Sequence, residues 1–214
     1  MADVGEDFVR EREALRATLA LVGPDAPTAC GCWTTTDLAV HVAGGEVAWA
    51  APNAPFRLLV GHGVRLDRLA PLNDRSLVRY RRRHGFVWAL QRLEREPPAL
   101  HLHGSVATVS LLEMWAHHED VLRANDVGCC TSAVRLGPVL EVLTRYHRRF
   151  LTGRGVRVAS TGHAWFTPAV TEVDVSGDEA DLARWLSGRG GLGSLSVAGT
   201  EQAVRVVADA TLGL

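Results

Sequence analysis

Three ionisable residues, Glu113, His117 and Asp120, interrupt the apolar run Leu111 to Leu122 at spacings of four and three. On an α-helix that spacing stacks all three side chains on one face. Leu112, Met114, Trp115, Val121 and Leu122 surround them, so the helix should pack into a core. A carboxylate and an imidazole there are costly unless they are paired or bind a metal. The commoner cause of an i,i+4 Glu–His spacing is a plain ion pair on a helix surface. A second apolar stretch, Thr34 to Gly45, carries His41 and is followed by small residues at Ala43, Gly44 and Gly45, which would let another backbone approach closely. His41 set against Glu113 and His117 would make a divalent-metal set of two imidazoles and one carboxylate, with room for another ligand. Asp37, one turn before His41, is placed to orient that ring. Asp120 is placed to orient His117 or to serve as a fourth ligand. His118 and Glu119 point off this face and read first as a half-exposed polar edge. His118 would enter the site only as a proton carrier.

The 214 residues are 47% hydrophobic, enough for one large domain or a medium domain with a small partner. A net charge of −1 gives no general attraction to nucleic acid or to an anionic membrane. There is no apolar run of about 18 residues, and Met1 to Asp7 is acidic where a signal peptide would be basic. The chain reads as soluble and cytoplasmic.

Arg is the only permanent cation, since Lys is absent, so an Arg cluster here is weak evidence for an anion site. The run Arg79 to His84 accordingly reads as a solvated face. Arg154 and Arg189 are each flanked by Gly and better suited to grip a carboxylate. The Cys pairs Cys30/Cys32 and Cys129/Cys130 lack the spacing of a structural zinc site and read as ordinary reduced thiols. Trp33, Trp49, Trp88 and Trp115 read as core or pocket wall. No phosphate loop, nucleophile elbow or HExxH is present.

Helical periodicity predicts five helices, over about 3–21, 34–51, 74–96, 106–124 and 137–151. Three Thr followed by Asp37 suit the N-terminus of the second. The connection 52–74 carries three Pro and two Gly and reads as a lid or entrance wall. From about residue 153 the pattern alternates, predicting strands near 156–160, 170–175 and 194–198, with helices over 178–187 and 201–210. The plan is α+β: a helical bundle over 1–152 and a small α/β domain over 153–214.

The stretches Glu11 to Leu15, Val22 to Thr28, Cys32 to His41 and Glu113 to Ala124 resemble the N-terminal domain of the mycothiol-dependent maleylpyruvate isomerase family. That domain is a DinB-like metal-binding four-helix bundle, up-down with an extra helix. Leu182 to Arg189 followed by Val197-Ala198-Gly199 is similar to the small C-terminal domain of actinobacterial members. The resemblance places the metal ligands at His41, Glu113 and His117. It implies a zinc ion that holds the sulfur of a mycothiol-like thiol for attack on a small electrophilic acid, in cis-trans isomerisation or S-transfer. Asp120, His118 and Arg189 are then the catalytic candidates, and Arg154 and Arg189 the candidates for binding the thiol cofactor. The expected partners are a small-molecule thiol and its electrophilic substrate. Assembly as monomer or homodimer is not fixed by sequence. Two rivals stand beside this reading: a hydrolase whose metal activates water, and a non-catalytic binding module.

Overall fold

The computed structural model describes residues 3–47, 78–127 and 134–213. The chain is α+β and divides into two compact units between Val134 and Arg135.

The first unit is helical. Helix α1 (Val4–Val22) starts where the Asp3 carboxylate accepts the Gly5 N–H at 3.0 Å, with Glu6 and Asp7 in the first turn favouring the positive end of the helix dipole. It ends at Gly23, whose φ of 85° favours a residue without Cβ. Helix α2 (Thr35–Val47) is opened by a reciprocal cap. The Thr34 N–H and hydroxyl both donate to Asp37 Oδ2 at 2.9 Å. Asp37 also takes the guanidinium of Arg81 at 2.6 Å, so this carboxylate serves the cap and an ion pair in place of the expected role beside His41.

Residues 78–81 are helical, a turn follows, and α3 (Phe86–Glu94) begins after Gly85. The single helix expected over 74–96 is therefore broken at His84-Gly85, where Gly weakens the helix. Helix α4 (Gly104–Asn125) is long and largely buried. Helix α1 lies along α4, and α3 packs on both α2 and α1. Phe8, Leu15 and Leu19 of α1 meet a core that includes Leu111, Met114 and Trp115. The close approach expected at Gly44 is made by the ring of Tyr80, 3.1 Å from where a Cβ would stand.

Buried charge also joins these helices. Arg12 pairs bidentately with Glu46 and donates to the Leu93 and Arg92 carbonyls at 2.7 and 2.9 Å. Arg92 adds a contact to Glu46 at 3.3 Å. This network keeps both ions partnered in an interior where an unpaired charge would be prohibitive.

The second unit holds α5 (Gly137–Tyr146), α6 (Arg148–Gly153), β1 (Val156–Ser160), β2 (His163–Phe166), β3 (Val173–Ser176), α7 (Glu179–Leu186), β4 (Ser196–Gly199) and α8 (Glu201–Ala208). The sheet order is β2-β1-β3-β4, with β1 and β3 parallel and the outer pairs antiparallel. Val156, Val158, Val173 and Val175 are fully buried, as the alternation predicts. Strand β2 is an addition to the sequence reading, because His163 to Phe166 carries no buried–exposed alternation. The described residues of this unit run from Arg135 onward. Helix α5 packs against α7 and β2, which an amphipathic pattern alone does not reveal.

Candidate metal centre

His41 of α2 faces Glu113 and His117 of α4. One donor atom from each lies within 4.8 Å of the other two, and His41 Nε2 stands 3.4 Å from Glu113 Oε1. Nitrogen and oxygen donors bonded to one tetrahedral ion at about 2.0–2.2 Å are about 3.3–3.6 Å apart, so the His41–Glu113 separation already suits shared coordination. The cluster is half-buried, with 14% of the His41 and 22% of the Glu113 side chain exposed. It is therefore reachable from solvent while set between core helices. The three residues converge because α4 stacks Glu113 and His117 on one face at i,i+4, and α2 brings His41 to that face.

Asp120, one turn further along α4, is buried and places Oδ2 3.5 Å from His117 Nδ1. The pKa of His117 is lowered, first because burial disfavours the imidazolium. The Asp120 hydrogen bond opposes that shift, nearby His41 adds to it, and the charges of Asp120 and Glu113 oppose it.

A loop over 27–34 closes against the same face. Pro27 bridges Thr34, and Ala29 donates its N–H to the Asp120 carbonyl at 3.0 Å. The Thr28 hydroxyl donates to the Trp33 carbonyl at 2.9 Å and accepts the Cys30 N–H at 3.2 Å. Gly31 makes the turn with φ of 62°. The loop presents two side chains. Trp33 lies beside both imidazoles, its ring centroid 5.0 Å from that of His41 and 6.2 Å from that of His117. Cys30 directs Sγ to Asp120 Oδ2 at 2.9 Å, with His117 Nδ1 3.6 Å away. Cys30, His117 and Asp120 are thus a second group with metal-ligand spacing, where the sequence suggested an ordinary thiol. No periodic signal could have found Cys30, because an irregular loop delivers it.

His118 turns to α1. Its Nδ1 lies 2.7 Å from Glu11 Oε1 and its Nε2 2.8 Å from the Thr18 hydroxyl, so α1 engages both ring nitrogens. Its side chain is 2% exposed, which corrects the half-exposed edge expected from the helical wheel. Glu119 is also buried. Arg154 and Arg189 belong to the second unit. Arg154 lines a cleft there with Glu172, Thr200 and Gln202, and Arg189 donates to the Ser187 carbonyl at 3.2 Å. Arg79, Arg82 and Arg83 are exposed, as expected of a solvated run. Trp49, Cys129, Cys130 and the whole 52–74 connection lie outside the described residues.

Fold and site together define an α+β protein whose helical unit gathers two imidazoles and a carboxylate between two helices. Among solved structures, the chain is similar to a crystal structure of the mycothiol-dependent maleylpyruvate isomerase. The match has 16% identity and a TM-score of 0.52, and covers 92% of this chain and 93% of that one. A histidine-to-alanine mutant of that isomerase aligns over the same shares at 15% identity and a TM-score of 0.47. At this identity the first likeness establishes the fold. No family profile and no curated protein sequence matches the chain. No described helix is long and apolar enough to cross a membrane.

Proposed function

We propose that this protein is a metal-dependent enzyme that works with a low-molecular-weight thiol. In this reading the helical unit is a DinB-like bundle, and its His41, Glu113 and His117 hold a zinc ion. The observation that carries the proposal is their convergence from two helices, with donor separations suited to one ion. The likeness to a mycothiol-dependent isomerase over nearly the whole chain supports the choice of a thiol partner and of isomerisation or S-transfer on a small electrophilic acid.

A divalent ion bound there would supply Lewis acidity and favour the deprotonated form of a thiol in its open position. The chain's own groups do the rest. The depressed pKa of His117 keeps its ring neutral and a lone pair available near neutral pH. Asp120 orients that ring through Nδ1. Trp33 forms an apolar wall beside both imidazoles and limits the water that reaches them. In the second unit, Arg154 and Arg189 carry guanidinium groups chemically suited to an acidic ligand.

The test is elemental analysis of protein purified without chelators, followed by assay of maleylpyruvate isomerisation with and without mycothiol. About one zinc per chain and strict thiol dependence are expected. Activity without thiol would favour the water-activating hydrolase, and absence of metal would favour a binding module.

A further inference from the structure

The loop that closes over the site adds sulfur to it. Cys30 Sγ, Asp120 Oδ2 and His117 Nδ1 are separated by 2.9, 3.5 and 3.6 Å. Two of these distances already match the edges of a tetrahedron drawn with zinc–sulfur bonds of about 2.3 Å and zinc–nitrogen bonds of about 2.0 Å. The short third distance is the S–H···O hydrogen bond, which would open as an ion entered. The position is prebuilt: Ala29 N–H to Asp120 carbonyl and Asn125 Nδ2 to Pro27 carbonyl fix the loop on α4, and Cys30 N–H to the Thr28 hydroxyl holds its turn. Cys30 is half-buried and in no disulfide.

We propose that Cys30, Asp120 and His117 Nδ1 form a second, sulfur-bearing cation position that takes soft divalent ions, as an alternative to the His41–Glu113–His117 set. A thiolate raises affinity for soft ions such as cadmium, while the nitrogen and oxygen set suits harder ones. The two sets share His117, and a neutral imidazole has one acceptor nitrogen, so the chain holds one ion at a time. On binding, the Cys30 S–H bond breaks, its electron pair forms the sulfur–metal bond, and the proton passes to buffer. The ion's identity then decides which side of His117 it occupies. This inference shares His117 with the proposed metal triad but requires neither the thiol partner nor the isomerase chemistry.

The test is titration of metal-free protein with cadmium, read by the near-ultraviolet thiolate-to-cadmium charge-transfer band. The parent carries Cys32→Ser, Cys129→Ser and Cys130→Ser, so Cys30 is its sole thiol; a far-ultraviolet dichroism spectrum confirms folding. Expected is a band that saturates at one equivalent, disappears with Cys30→Ser and persists with His41→Ala. Should the parent fail to fold, Cys30→Ser in the otherwise native chain must remove one thiolate's share of the band. No band in the folded parent, or a band lost equally with His41→Ala, overturns the proposal. Zinc content of the His41→Ala variant separates the two readings. If that variant keeps full zinc even when combined with Cys30→Ser, the triad assignment fails while the cadmium result stands on its own.

Discussion

His117 Nδ1 and Asp120 Oδ2 stand 3.5 Å apart across one turn of α4. A carboxylate so placed fixes the tautomer and orientation of an imidazole whose other nitrogen can meet a metal. Removing its charge while keeping its shape should weaken that role alone. Asp120→Asn is expected to lower zinc affinity about 10- to 100-fold, as outer partners of metal-bound histidines typically do. Competition against a chromophoric chelator measures it, and unchanged affinity would remove Asp120 from the site.

His41 and His117 are predicted to be individually essential for metal. In the proposed set each supplies one of three donors, and the remaining two cannot close a stable coordination shell. His41→Ala and His117→Ala should each bring zinc to well below one equivalent while helical dichroism stays near that of the parent. Both rings are only half-buried, so truncation leaves little unfilled core. Full zinc in the His117→Ala variant would mean that the ligand set is wrong.

The sequence made these candidate residues legible because helix periodicity is rigid. Glu113 and His117 share a face at i,i+4 in any α-helix, and the apolar residues around them fix which way that face turns. His41 was legible as an imidazole in a second apolar helix, and the stretches flanking it carried the resemblance. Cys30 was not legible: its place depends on a turn at Gly31 and on hydrogen bonds from Ala29 and Asn125 to positions distant in sequence. Helix α1 hid its polar partners for a related reason. Glu11 and Arg12 look like ordinary exposed charges beside Glu13 until His118 and Glu46 are brought against them. The strand pattern located β1 and β3, whose valines alternate, and missed β2, whose residues are half-buried or exposed throughout.

His118 is predicted to support stability without holding metal. It bridges Glu11 and Thr18 in the α1–α4 interface, where its loss removes a buried hydrogen-bond partner from each. Removing one partner of a buried hydrogen bond typically costs about 1–3 kcal/mol. His118→Ala should therefore lower the chemical-denaturation midpoint markedly, with zinc still near one equivalent in the folded protein. Replacing both partners, as Glu11→Gln with His118→Gln, should recover part of the loss. A His118→Ala variant that unfolds no more easily but loses its metal would instead assign His118 to the site.

His117 should leave a signature in the pH dependence of the metal-free protein. Burial lowers its pKa below 6.5, outweighing the contrary pull of Asp120. Between that lowered value and 6.5 the unfolded chain binds a proton that the native chain refuses. Stability consequently rises with pH across this interval, is complete above 6.5, and is lost as pH falls toward the native pKa. Nuclear magnetic resonance titration of the His117 ring should give a midpoint below 6.5. His117→Gln should flatten the stability-versus-pH slope over the same interval, because the substituted side chain does not titrate. Denaturation of both proteins at closely spaced pH values measures that slope. Since protons and metal compete for the same ring, zinc retention in the parent should also persist to a pH below that expected for an exposed histidine. A ring midpoint at or above 6.5 would show that Asp120 dominates over burial, and the slope would then run the other way.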